Sequence, residues 1–312
     1  MAENKPPRPA PRAAAAKPAQ APRPAAAAAP ARPTAQAAPA NPGIQRPAEQ
    51  RPGLPLFYKD PRPLARDRHA NKSLKTAASM SFAANSNAVP LTLEEFGTAS
   101  RHYPIVFSME KPAIAVAVLG FRRGENLFID GQGRWAPESY IPGYIRRYPF
   151  IFMEMKERNQ YMLCVDEAAN LLEDNGTRPL FEGNQPSELT KKALEFCAAY
   201  HRQSVLTQRF AEALEAHGLL SDKGANVTVP GGQAIALQGI RQIEQDKFRT
   251  LPDSVILEWH KNGFLFACHA HFISLGNWAS LGQRLGRLLR TVKPTVAPAK
   301  PAARPTAPAG RA

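Results

Sequence analysis

The chain has 312 residues and a formal net charge of +14, and its composition changes sharply near both ends. Residues 1–53 hold 13 of the 31 prolines and residues 291–312 hold five more, with no aromatic residue in either segment. Such segments bury too little apolar surface to offset the entropy of ordering them, which excludes a packed core at either end. We therefore predict a disordered Ala/Pro/Arg-rich tail, one folded domain of residues 54–290, and a disordered Ala/Pro/Lys-rich tail.

Most of the positive charge lies in the predicted tails. The first tail carries +6 and the second +4, so that +4 is left for the domain. Basic arms can bind polyanions such as nucleic acid weakly and without sequence preference. Because these charges are sparse and unclustered, we favour tails that keep the protein solvated over a dedicated nucleic-acid interface.

Cysteine usage and hydropathy argue against four further classes of protein. The cysteines, Cys164, Cys197 and Cys268, are odd in number and lack a CxxC pair, unlike those of a disulfide scaffold or a zinc module. The first seven residues lack the apolar segment of a secretory signal, and the longest apolar run of the domain, residues 113–119, is far below the roughly 20 residues that span a bilayer. We predict buried, reduced cysteines in a soluble cytoplasmic protein without a transmembrane segment.

Strands are predicted mainly in the first half of the domain. Alternating or β-rich residues mark six runs there: 81–84, 104–108, 113–119, 127–129, 150–155 and 161–165. The second and third runs should pair as a hairpin, and the fourth should extend it to an antiparallel meander over residues 104–135. Asn159 marks a turn between the last two runs.

Helices are predicted mainly in the second half. The first two predicted helices begin at the Thr92/Glu95 capping box and cover residues 138–147, the latter despite Pro142 and Gly143. A third begins at Ser187 and ends near Gly218, and a fourth begins at Pro252, with Asp253 as its cap, and ends at Gly263. A buried helix should cover residues 264–275, and Leu281, Leu285 and Leu288 mark a final amphipathic one. A later hairpin should join residues 227–229 to residues 234–237. Strands first and helices later indicate an α+β fold, with an antiparallel sheet in the first half packed by helices from the second.

Several separated blocks of the domain resemble the bacterial SapC family. They are residues 57–59, 87–92, 103–107, 124–128, Trp135, residues 140–150, 257–263, 270–272 and 274–275. The resemblance covers essentially the whole predicted domain and neither tail. It implies association with the bacterial envelope or surface layer, and it implies no catalytic residues.

The search for catalytic or metal sites in the sequence finds only isolated candidates. No GxSxG, P-loop, HExxH or Rossmann glycine pattern occurs. His269 and His271 are the closest histidine pair, but on the predicted helix they lie about 200° apart, so we favour structural histidines over metal ligands.

Cys268 beside His269 is better explained as a buried cysteine than as a nucleophile, because dyad members usually meet through the fold. Asp130 lacks the dense acid alternation of a calcium loop and is predicted to form a turn.

The segment from Tyr140 to Phe150 is the candidate ligand surface. On a helix, steps of four would align Tyr140, Tyr144 and Tyr148 in one stripe beside Arg146 and Arg147. Aromatic rings with guanidinium groups suit a sugar, a base or a phosphorylated ligand. The alternative, which we favour, is a core tyrosine stripe with two solvated arginines.

Three functions are compatible with this sequence. The first is a non-enzymatic binding or assembly module, linked to the envelope, the surface layer or the regulation of uptake, with an envelope protein or a glycan as its partner. The second is an enzyme of unrecognised type that acts on protein or saccharide, in a cleft that gathers polar residues from distant segments. The third is a nucleic-acid-associated protein that uses its basic tails. We prefer the first, without a cofactor or a bound metal.

Overall fold

The computed structural model describes residues 54–75, 79–155, 160–228 and 234–291. Both predicted tails lie outside these residues, apart from Thr291 at the end of the last helix, and so do the turn at Asn159 and the connection of the 227–237 hairpin. The described residues combine antiparallel sheets with eight α-helices, which confirms the predicted α+β class.

The strands are short and are numbered in chain order. They are β1 (Pro61–Pro63), β2 (Lys72–Leu74), β3 (Ala88–Pro90), β4 (Ile105–Ser108), β5 (Ala115–Val118), β6 (Phe150–Met155), β7 (Gln160–Asp166), β8 (Leu172–Asp174), β9 (Phe181–Glu182), β10 (Gln185–Pro186), β11 (Leu220–Ser221), β12 (Ala225–Thr228), β13 (Ala234–Leu237) and β14 (Ile240–Ile243). The predicted hairpins β4–β5 and β12–β13 and the predicted pair β6–β7 are all present and antiparallel.

The largest sheet has five strands in the order β11-β14-β4-β5-β3, and all its pairs are antiparallel. Its centre is the predicted hairpin, but β11 and β14 come from the second half of the chain. The predicted separation of strands in the first half from helices in the second therefore holds only in part, because the second half also supplies strands to this sheet. A second sheet, of order β1-β7-β6, lies beside the segment that carries the candidate ligand surface.

The α-helices are α1 (Arg66–His69), α2 (Phe96–Ala99), α3 (Gly143–Arg146), α4 (Glu188–Ala216), α5 (Gln245–Arg249), α6 (Asp253–Asn262), α7 (Phe264–Ser274) and α8 (Asn277–Thr291). Ser187 caps α4 by accepting a hydrogen bond from the Thr190 backbone. Gly263 separates α6 from α7 with a left-handed φ of 83°, which only glycine adopts without strain. No α-helix among the described residues is long and apolar enough to cross a membrane.

Two predicted strands are wrong. Residues 81–83 form a 3₁₀ turn in which the Ala83 and Ala84 amides bond back to Met80 and Ser81. Residues 127–129 form no strand, because only Ile129 makes a bridge, with Trp135, at the end of a turn. The meander therefore ends after two strands.

Three predictions about the helices need correction as well. The helix expected over residues 138–147 begins only at Gly143, because Pro142 has an extended ψ of 141°. Asp253 occupies the first turn of α6, and Pro252 takes the capping position without a side-chain bond. Helix α7 is only partly buried, since the side chains of Phe266 and Ile273 are 62% and 69% exposed.

The main core lies between the large sheet and the long helix α4. Phe210 of α4 is fully buried, and its ring lies 5.1 Å from Phe264, 6.0 Å from Phe96 and 6.1 Å from Phe107. Helix α7 packs against β4 and β14. Helix α4 also contacts β6, so it connects the core to the second sheet.

Candidate functional site

The five predicted ligand residues do not form one stripe, because α3 contains only four residues. Tyr148 lines one cavity, whereas Tyr140 and Arg146 line a different one. Tyr144 and Arg147 lie in the interior between them.

Three tyrosine rings form an aromatic enclosure around the guanidinium of Arg147. Its guanidinium carbon lies 4.1 Å from the centroid of the Tyr144 ring, 4.5 Å from that of Tyr200 and 5.7 Å from that of Tyr58. Its Nε is buried and has no hydrogen-bond partner among the described residues. Burial raises the pKa of Tyr58 and Tyr200, so both rings remain neutral. Arg147, which is partly exposed, therefore acts as a cation–π centre of the fold.

Tyr148 is held in a fixed position by a carboxylate. Its hydroxyl donates to Oδ2 of Asp166 over 3.0 Å, and Asp166 is fully buried at the end of β7. The Tyr148 ring lies 4.2 Å from the Phe82 ring and 6.2 Å from the Phe57 ring. Burial, and then the charge of Asp166, raise the pKa of the Tyr148 hydroxyl, which is therefore a neutral donor.

These rings border a cavity with a volume of about 620 Å³; we call it the Tyr148 cavity. Its lining residues are Leu56, Phe57, Tyr58, Lys59, Lys75, Ser79, Ser81, Phe82, Asn85, Ser86, Tyr148, Ala168, Ala169, Asn170 and Leu171. Lys75 donates from Nζ to the Asn170 side chain over 2.9 Å, which orders two polar groups at the rim. Aromatic rings therefore meet amide, hydroxyl and ammonium groups, and no Asp, Glu, His or Cys is among these lining residues.

Tyr140 and Arg146 border a smaller depression of about 390 Å³ around Glu95. The buried Glu95 accepts from Tyr140 over 2.9 Å and from the Gly143 amide over 2.6 Å, and its second oxygen completes the predicted capping box with Thr92. Arg146 donates to the Tyr140 hydroxyl over 3.0 Å. Burial, and then the charge of Glu95, raise the pKa of Tyr140 to about 12. Both Glu95 oxygens are used to hold the backbone, so this group positions α3.

The contacts of His271 and the burial of Cys268 indicate structural roles for these candidates. His271 is fully buried on α7; its Nε2 accepts from the Ile243 amide and its Nδ1 bonds the Ile105 carbonyl, so both nitrogens are used. His269 is exposed on the opposite side of the helix. Cys268 is buried, and burial raises the pKa of its thiol to about 12, which disfavours the nucleophilic thiolate. No group of three or more potential metal ligands occurs within the described residues.

Asp130 forms a turn, as its position predicts. Its Oδ1 accepts from the Gln132 and Arg134 amides over 2.9 Å each, and its Oδ2 accepts from Arg134 Nε over 2.8 Å. These bonds lower the pKa of the carboxyl, the Arg134 backbone bond most of all. The carboxylate is thus committed to the turn.

Most residues of the Tyr148 cavity carry no recognisable signal in the sequence. Phe82 was predicted to lie in a strand, and Lys75 and Asn170 were not identified at all. The block Phe57-Tyr58-Lys59 belongs to the family resemblance and begins the predicted domain, and its three residues line the cavity. That first aromatic pair after a long non-aromatic stretch was the signal available.

Comparison with known proteins identifies a family and no individual relative. The SapC family model matches residues 64–281, which is more than half of the chain. No curated protein and no solved structure matches.

Proposed function

Because the chain belongs to the SapC family, we propose that its domain is a non-enzymatic binding module of the bacterial envelope that holds a saccharide in the Tyr148 cavity. The family resemblance supports the envelope context. The ligand class rests on the cavity itself, whose combination of aromatic faces with polar side chains is the observation that carries the proposal.

The cavity chemistry fits a sugar better than an apolar ligand. Pyranose rings present apolar C–H faces, which pack on aromatic rings such as Phe57 and Phe82, and hydroxyls, which need hydrogen-bond partners. Lys59, Lys75 and Asn170 supply such partners at the rim. A volume of about 620 Å³ lies within the roughly 300 to 1,000 Å³ that small-ligand sites occupy.

The lining residues also favour binding over hydrolysis. Glycoside hydrolysis normally uses two carboxyl groups on opposite sides of the scissile bond. The lining residues of the Tyr148 cavity include no carboxylate, and the nearby Asp166 is occupied by the Tyr148 hydroxyl and by the Lys59 and Asp60 amides. With two lysines at the rim, an acidic saccharide should bind more tightly than a neutral one.

Calorimetry with purified envelope polysaccharides and the full-length chain tests the ligand class. Phe82→Leu keeps an apolar side chain and removes the aromatic face, so we expect about tenfold weaker binding, which corresponds to about 1.4 kcal/mol. Tyr161→Leu is the matched control, since Tyr161 is an exposed aromatic on β7 outside the cavity. Equal affinity of Phe82→Leu and Tyr161→Leu, or no binding by the wild type, would reject the saccharide site.

Cell fractionation tests the envelope context separately. We expect the tagged full-length protein to be recovered with the envelope and to be cleaved when protease is added to intact cells. Recovery in the cytosol with full protection from protease would reject a surface role and leave the saccharide site to be judged on binding alone.

A further inference from the structure

A third depression, of about 400 Å³, lies between the loop of residues 126–137 and helix α8. None of its lining residues lines the Tyr148 cavity. Three arginines border it: Arg284 and Arg287 from consecutive turns of α8, and Arg134 from the loop. Asp130 is the single acid among the lining residues, so the depression is strongly basic.

Arg284 is the central group of this depression, and the fold holds it without a carboxylate. Its guanidinium carbon lies 4.2 Å from the centroid of the Phe128 ring, and one terminal nitrogen donates to the Ser139 hydroxyl over 3.1 Å. Among the described residues, no carboxylate oxygen lies within 4.0 Å of its nitrogens. The half-buried charge of Arg284 is thus positioned by a ring and a hydroxyl, and neither group neutralises it.

Two further arginines line the depression around Arg284. Arg134 is neutralised by Asp130, whose Oδ2 accepts from Nε and from a terminal nitrogen over 2.8 Å each. Arg287 is one turn from Arg284 on α8 and lies on the same depression. Burial lowers the pKa of Arg284; Tyr103 opposes this effect, and the like charge of Arg287 lowers the pKa further. An anion bound here would therefore stabilise the charged form of Arg284.

We propose that this depression, which we call the Arg284 site, binds a phosphate group. A phosphate monoester carries about −1.5 to −2 charges at neutral pH, so it can neutralise Arg284, which has no carboxylate partner among the described residues. The planar fork of a guanidinium bonds two phosphate oxygens at once. Phe128 and Trp135 stack at 5.9 Å with 20° between their planes, and both line the depression.

The position of the Arg284 site permits two sources of phosphate. It opens beside the last turns of α8, where Leu288 and Leu289 are 47% and 45% exposed. No acidic residue follows Glu258 in the chain. The phosphate can therefore belong to a soluble ligand or to the headgroup of a membrane lipid, and the two sources require separate measurements.

Binding of inorganic phosphate to the full-length chain is the first measurement. The indole N–H signal of Trp135, assigned with Trp135→Phe, is followed in a ¹⁵N NMR titration at constant ionic strength, so that screening does not change. We expect a saturable shift, with at least tenfold weaker binding in Arg284→Gln and in Arg287→Gln. Arg209→Gln is the matched control, because it removes an exposed arginine of α4 outside the site. Arg287 is exposed, so its variant remains informative if Arg284→Gln does not fold.

Sedimentation with vesicles is the second measurement and separates the two sources. The site would be assigned to a lipid headgroup if the wild type cosediments with phosphatidylglycerol-containing vesicles but not with pure phosphatidylcholine, and if Arg284→Gln loses this cosedimentation. A saturable phosphate shift without Arg284-dependent cosedimentation would assign it to a soluble ligand. Two results together would overturn the proposal. The first is that inorganic phosphate gives no saturable shift, or binds the wild type and both site variants equally. The second is that cosedimentation is independent of Arg284.

Discussion

The hydroxyl of Tyr148 donates to Oδ2 of Asp166, so the last residue of β7 fixes the ring that borders the Tyr148 cavity. The same carboxylate accepts from the Lys59 amide over 3.0 Å and from the Asp60 amide over 2.8 Å. One buried group therefore joins the second sheet, the start of the described domain and the ring of Tyr148. Stability and ligand binding should be coupled through Asp166.

Asp166→Asn should destabilise the domain and weaken saccharide binding together. The amide replaces one acceptor oxygen with a donor, which leaves a buried amide or hydroxyl without its partner, at a cost of about 2 to 4 kcal/mol. Asp174→Asn is the control, because Asp174 makes an exposed ion pair with Lys72 and should cost less than about 1 kcal/mol. Urea unfolding of both variants measures the difference, and equal losses would contradict the role assigned to Asp166.

Arg146 and Arg147 are sequence neighbours with opposite environments, and their alanine variants should differ. Arg147→Ala removes a guanidinium that packs against three tyrosine rings, so the free energy of unfolding should fall by about 2 to 4 kcal/mol. Arg146→Ala removes an exposed side chain and should cost less than about 1 kcal/mol. Thermal unfolding of the pair is a direct comparison; a larger loss in Arg146→Ala would show that the enclosure does not stabilise the fold.

The sequence predicts correctly those features that neighbouring residues determine. The Thr92/Glu95 capping box, the helix start at Ser187 and the Gly263 terminus depend on residues within one helical turn, and all three are present. The β4–β5 hairpin is equally local. Residues 81–83 were mispredicted because small and aromatic residues suit a strand as well as a short turn, and pairing with a distant strand decides between them.

The candidate site could not be predicted in the same way. The rings and polar groups around Tyr148 come from segments that are far apart in the chain, and no spacing rule connects Phe82 to Asn170. The aromatic and arginine content of residues 140–148 was recognised, but its distribution over two cavities and the interior depends on the shortness of α3. The Arg284 site was missed because the final helix was considered only for its apolar face.

The three cysteines should be unreactive in the folded protein. Burial raises the pKa of Cys164 to about 11 and those of Cys197 and Cys268 to about 12, so the thiolate is scarce at neutral pH. We expect a thiol reagent to label none of them quickly under native conditions and all three in urea. Rapid native labelling of Cys268 would revive the nucleophile that its position beside His269 suggests.

His271 should make the stability of the domain depend on pH between about 6.5 and 4. Burial lowers its pKa to about 4, against a weaker opposing effect of its bond to the Ile105 carbonyl. The unfolded chain, with an ordinary histidine pKa of about 6.5, then binds the extra proton in this range, while the folded chain does not. The free energy of unfolding therefore decreases by about 3 kcal/mol as the pH falls from 6.5 to 4, and this contribution is complete below both pKa values.

Replacement of the two α7 histidines separates this effect from the titration of carboxylates. His271→Gln loses the buried ring, so it should be less stable at pH 7, but its stability should fall less steeply than that of the wild type between pH 6.5 and 4. His269→Gln changes an exposed ring on the same helix and should keep the wild-type slope. Urea unfolding at a series of pH values measures both. Parallel curves for the wild type and His271→Gln would mean that His271 is protonated in the folded state. A charged imidazole has no acceptor nitrogen, so the bond from the Ile243 amide would then have to be absent.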